Sequence, residues 1–455
     1  MALADPGSVG VDPGLLRDYD AQMRKAVRGG LMAGCASAIL RQGQLVQGAG
    51  YGLADLDTKV PFCADTICRV YCMTKPYVLL VFMSLVEEGR AKLDDPVAKY
   101  LPAFRDVRVV GSDGALVRPK RSVTLEHLAL HMSGIGYSAG FGAPPENDSQ
   151  KSYAALVESV ASGKVRSLKD FVGRLAKLPL RFHPGEDYEY GFSIDVLAHV
   201  VEVISGRSIE HCMQERVFKP LGMQDTGFAV EQSNLCRFAA CYGTAQIWGN
   251  LYGHIPGKVP VTTRPGLVRI DGDSAKESAW CKGRECQIRA GGGWMAQNQG
   301  GLVSTVNDTV RFLRMLIDYG VSGNGVRLLK RETLLRMELP SPLGAATGRD
   351  ICIFGNIGGY VSGGSEFGQG GHASTFWSLD RKDAVAVVWF AQHLDFWSWD
   401  AEVVDPEKAD IWKMMHKVLV AVSVILYVIV ASRCYLPSFS YPLSLSLFLM
   451  SPKCM

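Results

Sequence analysis

Cys72 and Lys75 stand three residues apart in TICRVYCMTKPYVLL, residues 66–80. On a helix that spacing puts a thiol and an amine on one face. The pair falls where a short extended segment gives way to an apolar helix. Backbone N–H groups are unpaired at a helix start, and the helix dipole favours negative charge there. A thiol beside an ammonium in such a place is held toward its nucleophilic form. The chemistry this allows is attack on a carbonyl, with the amine as base or charge partner on one rigid turn. The spacing alone also fits a buried cysteine near a surface lysine. Two other pairs invite chemistry. His127 and His131 share a helix face, but no acidic ligand pattern adjoins them, and no metal is expected. Cys68 and Cys72 are four apart, yet Cys68 precedes the helix, which disfavours a disulfide-based redox role.

These side chains need elements to hold them. Residues 14–29 carry apolar residues at helical spacing, and CASAILR and QLVQGAGYG read as a hairpin turning at Gln42-Gly43. KPYVLLVFMSLVEEGRAKL reads as a buried helix stopped by Gly89. Residues 123–132 form a helix capped by Thr124, and 137–153, rich in Gly, Pro, Ser and Asn, a long loop. Helical patterns return at 168–177, 194–205, 208–218 and 306–319; the stretch 243–300 is irregular. STFWSLD and AVAVVWFAQ read as strands paired across Arg381-Lys382-Asp383, with a helix from about Asp410. Strands near both termini with helices between them predict an α/β domain split in sequence by a helical insertion.

Composition narrows the function classes. The 455 residues carry 48 Lys+Arg and 45 Asp+Glu, with 20% charged and 47% hydrophobic residues, which excludes a disordered chain. A net charge of +3 without a basic block predicts no nucleic-acid partner. The 12 cysteines are scattered and include no C-x-x-C pair, so neither a disulfide scaffold nor a zinc knuckle is expected. MALADPGSVGVDPGLL lacks a basic start and an apolar core, so no signal peptide is read and the cytoplasm is the expectation. The sequons at Asn147 and Asn307 then carry no glycosylation meaning. The uncharged run 418–432 falls short of the ~18–20 apolar residues that span a bilayer. A helix packed on the sheet is the first reading of that tail; a membrane anchor through it is the minor alternative.

The string Tyr71-Cys72-Met73-Thr74-Lys75-Pro76, with SLVEEGRAKLDDPVAKYLPAF after it, resembles the β-lactamase-like family of penicillin-recognising serine hydrolases, nearest its class C β-lactamases and esterases. The family's first motif is S-x-x-K, so Cys72 stands where the family has its nucleophilic Ser. VTLEHLALHMSGIGY at 123–137 resembles a family helix followed by H-x-S-G, which makes His127 and His131 structural. PLRFHPGEDYEYGFSIDVLAHVVEVISGRSIEHCMQERVFKPLGMQDTGF matches a long family string in which Tyr190 falls on the second-motif tyrosine. Phe192 stands where β-lactamases have an Asn, which leans toward an ester-type or other acyl substrate. GGLVSTVNDTVRFLRML also matches, after what reads as an insertion at WMAQNQ, and the third motif falls on Gln369-Gly370-Gly371, with Gln369 replacing Lys or His.

The resemblance covers roughly residues 12–425 and implies the family's antiparallel sheet flanked by helices. It divides the chain into a sheet part, about 12–70 and 330–425, a helical part, about 71–329, and an apolar tail, 426–455. It implies acyl transfer through an acyl-enzyme on Cys72, with Lys75 and Tyr190 moving the proton. The oxyanion would rest on the N–H groups of Cys72 and His372, and Phe192, Gln369, Gly370 and Gly371 would border the substrate. No cofactor is implied; the partner is a small-molecule acyl substrate, and the oligomeric state is open. The alternative is a catalytically silent member with a binding or assembly role, suggested by the simultaneous departures at Cys72, Phe192 and Gln369.

Overall fold

The computed structural model describes residues 2–137, 147–243, 267–271, 288–292, 301–348, 351–357 and 366–394. An eight-stranded antiparallel sheet runs in the order Ile351–Cys352, Gly355–Ile357, Phe367–Gly371, Thr375–Asp380, Val385–Ala391, Gly34–Arg41, Gln44–Asp55, Val60–Pro61. The Gly34–Arg41 strand, from the start of the chain, pairs with Val385–Ala391 from near the end of the described part, Ala38 facing Val388. The hairpin turns at Gln42-Gly43, whose φ angles are 51° and 75°.

Both faces of the sheet are covered, which explains why its strands read as near-continuous apolar runs. Along Gly34–Arg41 every residue is buried. Cys35 and Ile39 face the N-terminal helix, Pro13–Arg28, through Leu16, Tyr19 and Met23. Ala36, Ala38 and Leu40 point the other way, into the core shared with the helices. The period of two therefore assigns alternate residues to two separate cores.

The Lys75–Glu87 helix is buried on nearly every side, from Lys75 to Leu85. A helix apolar all round belongs inside a protein, and this one packs against Ser193–Ser205. Thr124 caps the Leu125–Ala129 helix: its Oγ1 accepts from the His127 N–H at 3.2 Å, and His127 Nδ1 accepts from the Thr124 N–H at 3.1 Å. Burial of that ring, with Arg121 nearby, lowers the His127 pKa to about 4, so it stays neutral as a cap.

Three local expectations change. The loop expected over 137–153 gives way at Asp148 to a helix, Asp148–Ala161, capped by the Asn147 side chain on the Gln150 N–H at 2.9 Å. The helix expected over 208–218 is α-helical at Ile209–Met213 and widens to a π-turn at Gln214–Phe218. Arg331–Glu338 forms a short helix that the periodicity does not announce. No helix among the described residues is long and apolar enough to cross a membrane. The helix expected from Asp410, the apolar tail, the insertion at WMAQNQ and most of 243–300 lie outside the described residues.

One buried amide ties the sheet to the segment that carries Cys72. Gln392 Oε1 accepts from the Arg69 N–H at 2.9 Å, and its Nε2 donates to the Arg69 carbonyl at 3.0 Å. Gln392 is 3% exposed and Arg69 2%. Gln392→Ala should leave two buried backbone groups unpaired, at ~1–3 kcal/mol each. Chemical denaturation is expected to show a loss of about 2–4 kcal/mol.

Candidate active site

A 3-10 turn, Tyr71–Thr74, leads into the Lys75–Glu87 helix and places Cys72 and Lys75 on consecutive turns. Tyr71 has φ 44°, a left-handed conformation that costs a non-glycine residue ~1–2 kcal/mol. Burial holds it there: Tyr71 is fully enclosed, with its ring edge-on to His372 at 5.9 Å. The strained residue thus directly precedes Cys72, which is itself 6% exposed.

The Phe367–Gly371 strand closes the site from the sheet side. A Cβ on Gly371 would fall 2.3 Å from the Val70 carbonyl oxygen, so only glycine lets this strand end approach the Cys72 turn. His372 follows in a turn; burial lowers its pKa to about 4, leaving a neutral imidazole. Gln369 is nearly buried, and its Nε2 donates to the Gly370 carbonyl at 3.2 Å.

Lys75 is buried and meets two partners. Its Nζ lies 4.4 Å from the Tyr190 ring centroid and donates a short hydrogen bond to the Gly292 carbonyl. Tyr190 comes from the loop before the Ser193–Ser205 helix, and Cys72 is the neighbouring group that acts on it most, after burial. Burial first, then the neighbouring Cys72 and Tyr137, raise the Tyr190 pKa well above 10. The phenol therefore stays protonated at neutral pH. His131 supports it from behind, the two rings 4.6 Å apart. His131 Nδ1 accepts from the Gly191 N–H at 3.3 Å, which puts its proton on Nε2. Burial, and Lys75 secondarily, push the His131 pKa well below its ordinary value, so no second cation faces Lys75.

Sequence reasoning nominated Cys72, Lys75, Tyr190, Gln369, Gly370, Gly371 and His372; Lys75, Tyr190 and Gln369 share one pocket, and Gly371 and His372 lie against Val70 and Tyr71, the residues before Cys72. Phe192 goes elsewhere: its ring is 1% exposed and packs against Tyr137 at 4.7 Å and Phe171 at 5.1 Å. Its side chain belongs to the helical core because the Ser193–Ser205 helix begins there and turns it inward. A small pocket of about 30 Å³ adjoins the group, lined by Lys75, Tyr190 and Gln369 with Leu79, Ile353 and Phe354. Cys72 lies outside that lining and meets it through Tyr190.

Asp195 was not singled out by sequence reasoning. It is fully buried on the Ser193–Ser205 helix, and its Oδ1 accepts from the Gly292 N–H at 2.6 Å. A usable signal existed: SIDVLAHVV holds one acidic residue in an apolar helix, five residues after Tyr190. Burial raises its pKa to about 6, against the lowering effects of Lys75 and the backbone N–H groups. A carboxyl raised in the folded state supports folding while protonated, and that support is lost as pH rises through about 6. Relative to wild type, Asp195→Asn should therefore gain stability between pH 4 and 8, by on the order of 2–3 kcal/mol. Urea denaturation of both proteins at the two pH values checks this; a constant difference would contradict it.

Residues 20–401 match the family described as Beta-lactamase. With the antiparallel sheet, the flanking helices and a lysine and tyrosine beside one buried turn, this match settles the class: the chain belongs to the beta-lactamase family. It is 30% identical over 321 residues to an uncharacterized protein of Mycobacterium tuberculosis, covering 70% of each chain. It is 32% identical over 251 residues to Esterase EstB of Burkholderia gladioli, covering 54% of this chain and 59% of that one. In structure it resembles EstCE1, described as a hydrolase with promiscuous acyltransferase activity, with a TM-score of 0.62 at 20% identity over 88% of this chain and 98% of that one. At that identity the structural likeness concerns the fold.

Proposed function

We propose that the protein is a hydrolase or acyltransferase that acts on an ester-type or other small acyl substrate through an acyl-enzyme on Cys72. The observation that carries this reading is Lys75 over the Tyr190 ring, three residues along the turn from Cys72, the group that acts most on Tyr190 after burial. The relatives named as an esterase, and as a hydrolase with acyltransferase activity, support the reaction class.

In the acylation step the Cys72 sulfur attacks the substrate carbonyl. A C–S bond forms and the C–O bond to the leaving alcohol breaks. The protonated phenol of Tyr190 gives its proton to the departing oxygen, and the thiol proton refills the phenol through Lys75. Water or an acceptor alcohol then attacks the thioester, its proton returns through the same groups, and the Cys72 thiol is restored. The oxyanion rests on the N–H groups of Cys72 and His372, a strand-to-turn approach that Gly371 permits. One such donor is worth ~10²–10³ in rate. Burial of Lys75, with Tyr190 partly buried beside it, keeps bulk water from competing for the proton, and Leu79, Ile353 and Phe354 form an apolar wall beside them.

A panel of activated esters and thioesters, assayed with and without added alcohol, tests the reading. Turnover of at least one acyl class is expected, and alcohol should divert product from acid to ester if transfer is the native reaction. Activity that appears only after Cys72→Ser would instead identify a silenced member of the family.

A further inference from the structure

The acyl-transfer reading uses Cys72, Lys75 and Tyr190 but leaves Asp195 unexplained. Asp195 is entirely inside the protein, and while its Oδ1 is bonded to the Gly292 N–H, its Oδ2 has no hydrogen-bond partner among the described residues. Buried carboxylate oxygens are normally satisfied, and an exception asks for a reason. The Gly292 backbone ties this carboxyl to the catalytic turn. The Gly292 N–H faces Asp195 while the Gly292 carbonyl, in the next peptide unit, accepts from the Lys75 amine, so the backbone of one residue joins the two side chains. Nothing larger than glycine fits: a Cβ on Gly292 would fall 2.1 Å from Asp195 Oδ2. Gly291 is equally confined, its Cβ position 2.6 Å from the Ile194 carbonyl oxygen and 3.0 Å from Val78. The segment is thus wedged between the helix carrying Asp195 and the helix carrying Lys75.

We propose that Asp195 is a positioning residue for Lys75. Its carboxylate fixes the Gly292 backbone through the N–H, and the Gly292 carbonyl so placed holds the Lys75 amine beside Tyr190. Charge on Asp195 strengthens the hold, and protonation weakens it. The titratable groups around this unit are Lys75 on the neighbouring helix and Tyr137, with His131 and Tyr190 on the far side of Lys75. His131 is neutral and both tyrosines stay protonated, since burial raises each above its ordinary value. Asp195 changes charge in mildly acidic solution, near pH 6.

Two readouts test the proposal, and only the second depends on acyl chemistry. Infrared titration of the folded protein should show a buried carboxyl ionising near pH 6. Asp195→Asn should remove that transition, and Lys75→Met should move it to higher pH. If Asp195→Asn does not fold, wild type against Lys75→Met decides the matter alone. The other buried acids with raised values, Asp308 and Glu338, have Arg311 and Arg381 as their cationic neighbours. A midpoint unmoved by Lys75→Met overturns the proposal. In the second readout, the rate of Cys72 acylation should fall ~10-fold from pH 7 to pH 5 through one ionisation. Asp195→Asn, whose amide oxygen still accepts from Gly292, should lose that limb. A limb that persists in Asp195→Asn refutes the positioning role. If no acylation occurs at any pH, the acyl-transfer reading fails, and the infrared result still decides the link between Asp195 and Lys75.

Discussion

Cys72→Ala is expected to cut turnover of any ester substrate by ~10⁴-fold or more, because it removes the proposed nucleophile. The remaining rate would come from substrate binding and the oxyanion donors alone, and the protein should stay folded. Sulfur-to-hydrogen replacement at a site that is 6% exposed opens a small void, with a stability cost of roughly 1 kcal/mol. Circular dichroism and denaturation therefore separate loss of chemistry from loss of fold. A variant that unfolds would place Cys72 among the core cysteines. One that stays folded and active would assign the nucleophile elsewhere.

Tyr190→Phe is the second large effect. It removes one hydroxyl while keeping the ring that lies under Lys75 and against His131. A general acid or base contributes ~10²–10⁴ in rate, so acylation should slow by that factor. The loss should be steepest for esters with poor leaving groups, which need the proton most. An activated thioester, whose leaving group departs as a stable anion, should lose much less. Equal losses for both kinds of substrate would mean that Tyr190 shapes the site without moving a proton. A series of leaving groups measured in wild type and Tyr190→Phe distinguishes the two.

The sequence made much of this site legible because local rules and distant contacts agree. Cys72 and Lys75 share one turn, so their spacing already implies proximity. Apolar runs such as AVAVVWFAQ mark strands buried on both faces, and the structure shows the two cores that bury them. Tyr190 and Gln369 could be placed near Cys72 only through family resemblance, since 118 and 297 residues of chain separate them from it. Phe192 shows where motif register misleads. Its position in the motif suggests the cleft, but helix geometry two residues past Tyr190 turns the ring into the core. Asp148–Ala161 was hidden by the Gly- and Pro-rich stretch before it, although Asn147 is a good cap. Asp195 escaped because its meaning depends on Gly292, which belongs to a segment without periodicity.

The central claim is that Cys72 carries an acyl group during the reaction. Its most direct test is to mix the wild-type protein with an activated ester, quench in acid and weigh the intact chain. Peptide mapping then locates any added mass. The account predicts one acyl group, on the peptide containing Cys72, that forms within the turnover time and disappears when the ester is consumed. A folded protein that turns the ester over with no mass on Cys72, or with the acyl group on another residue, would contradict it.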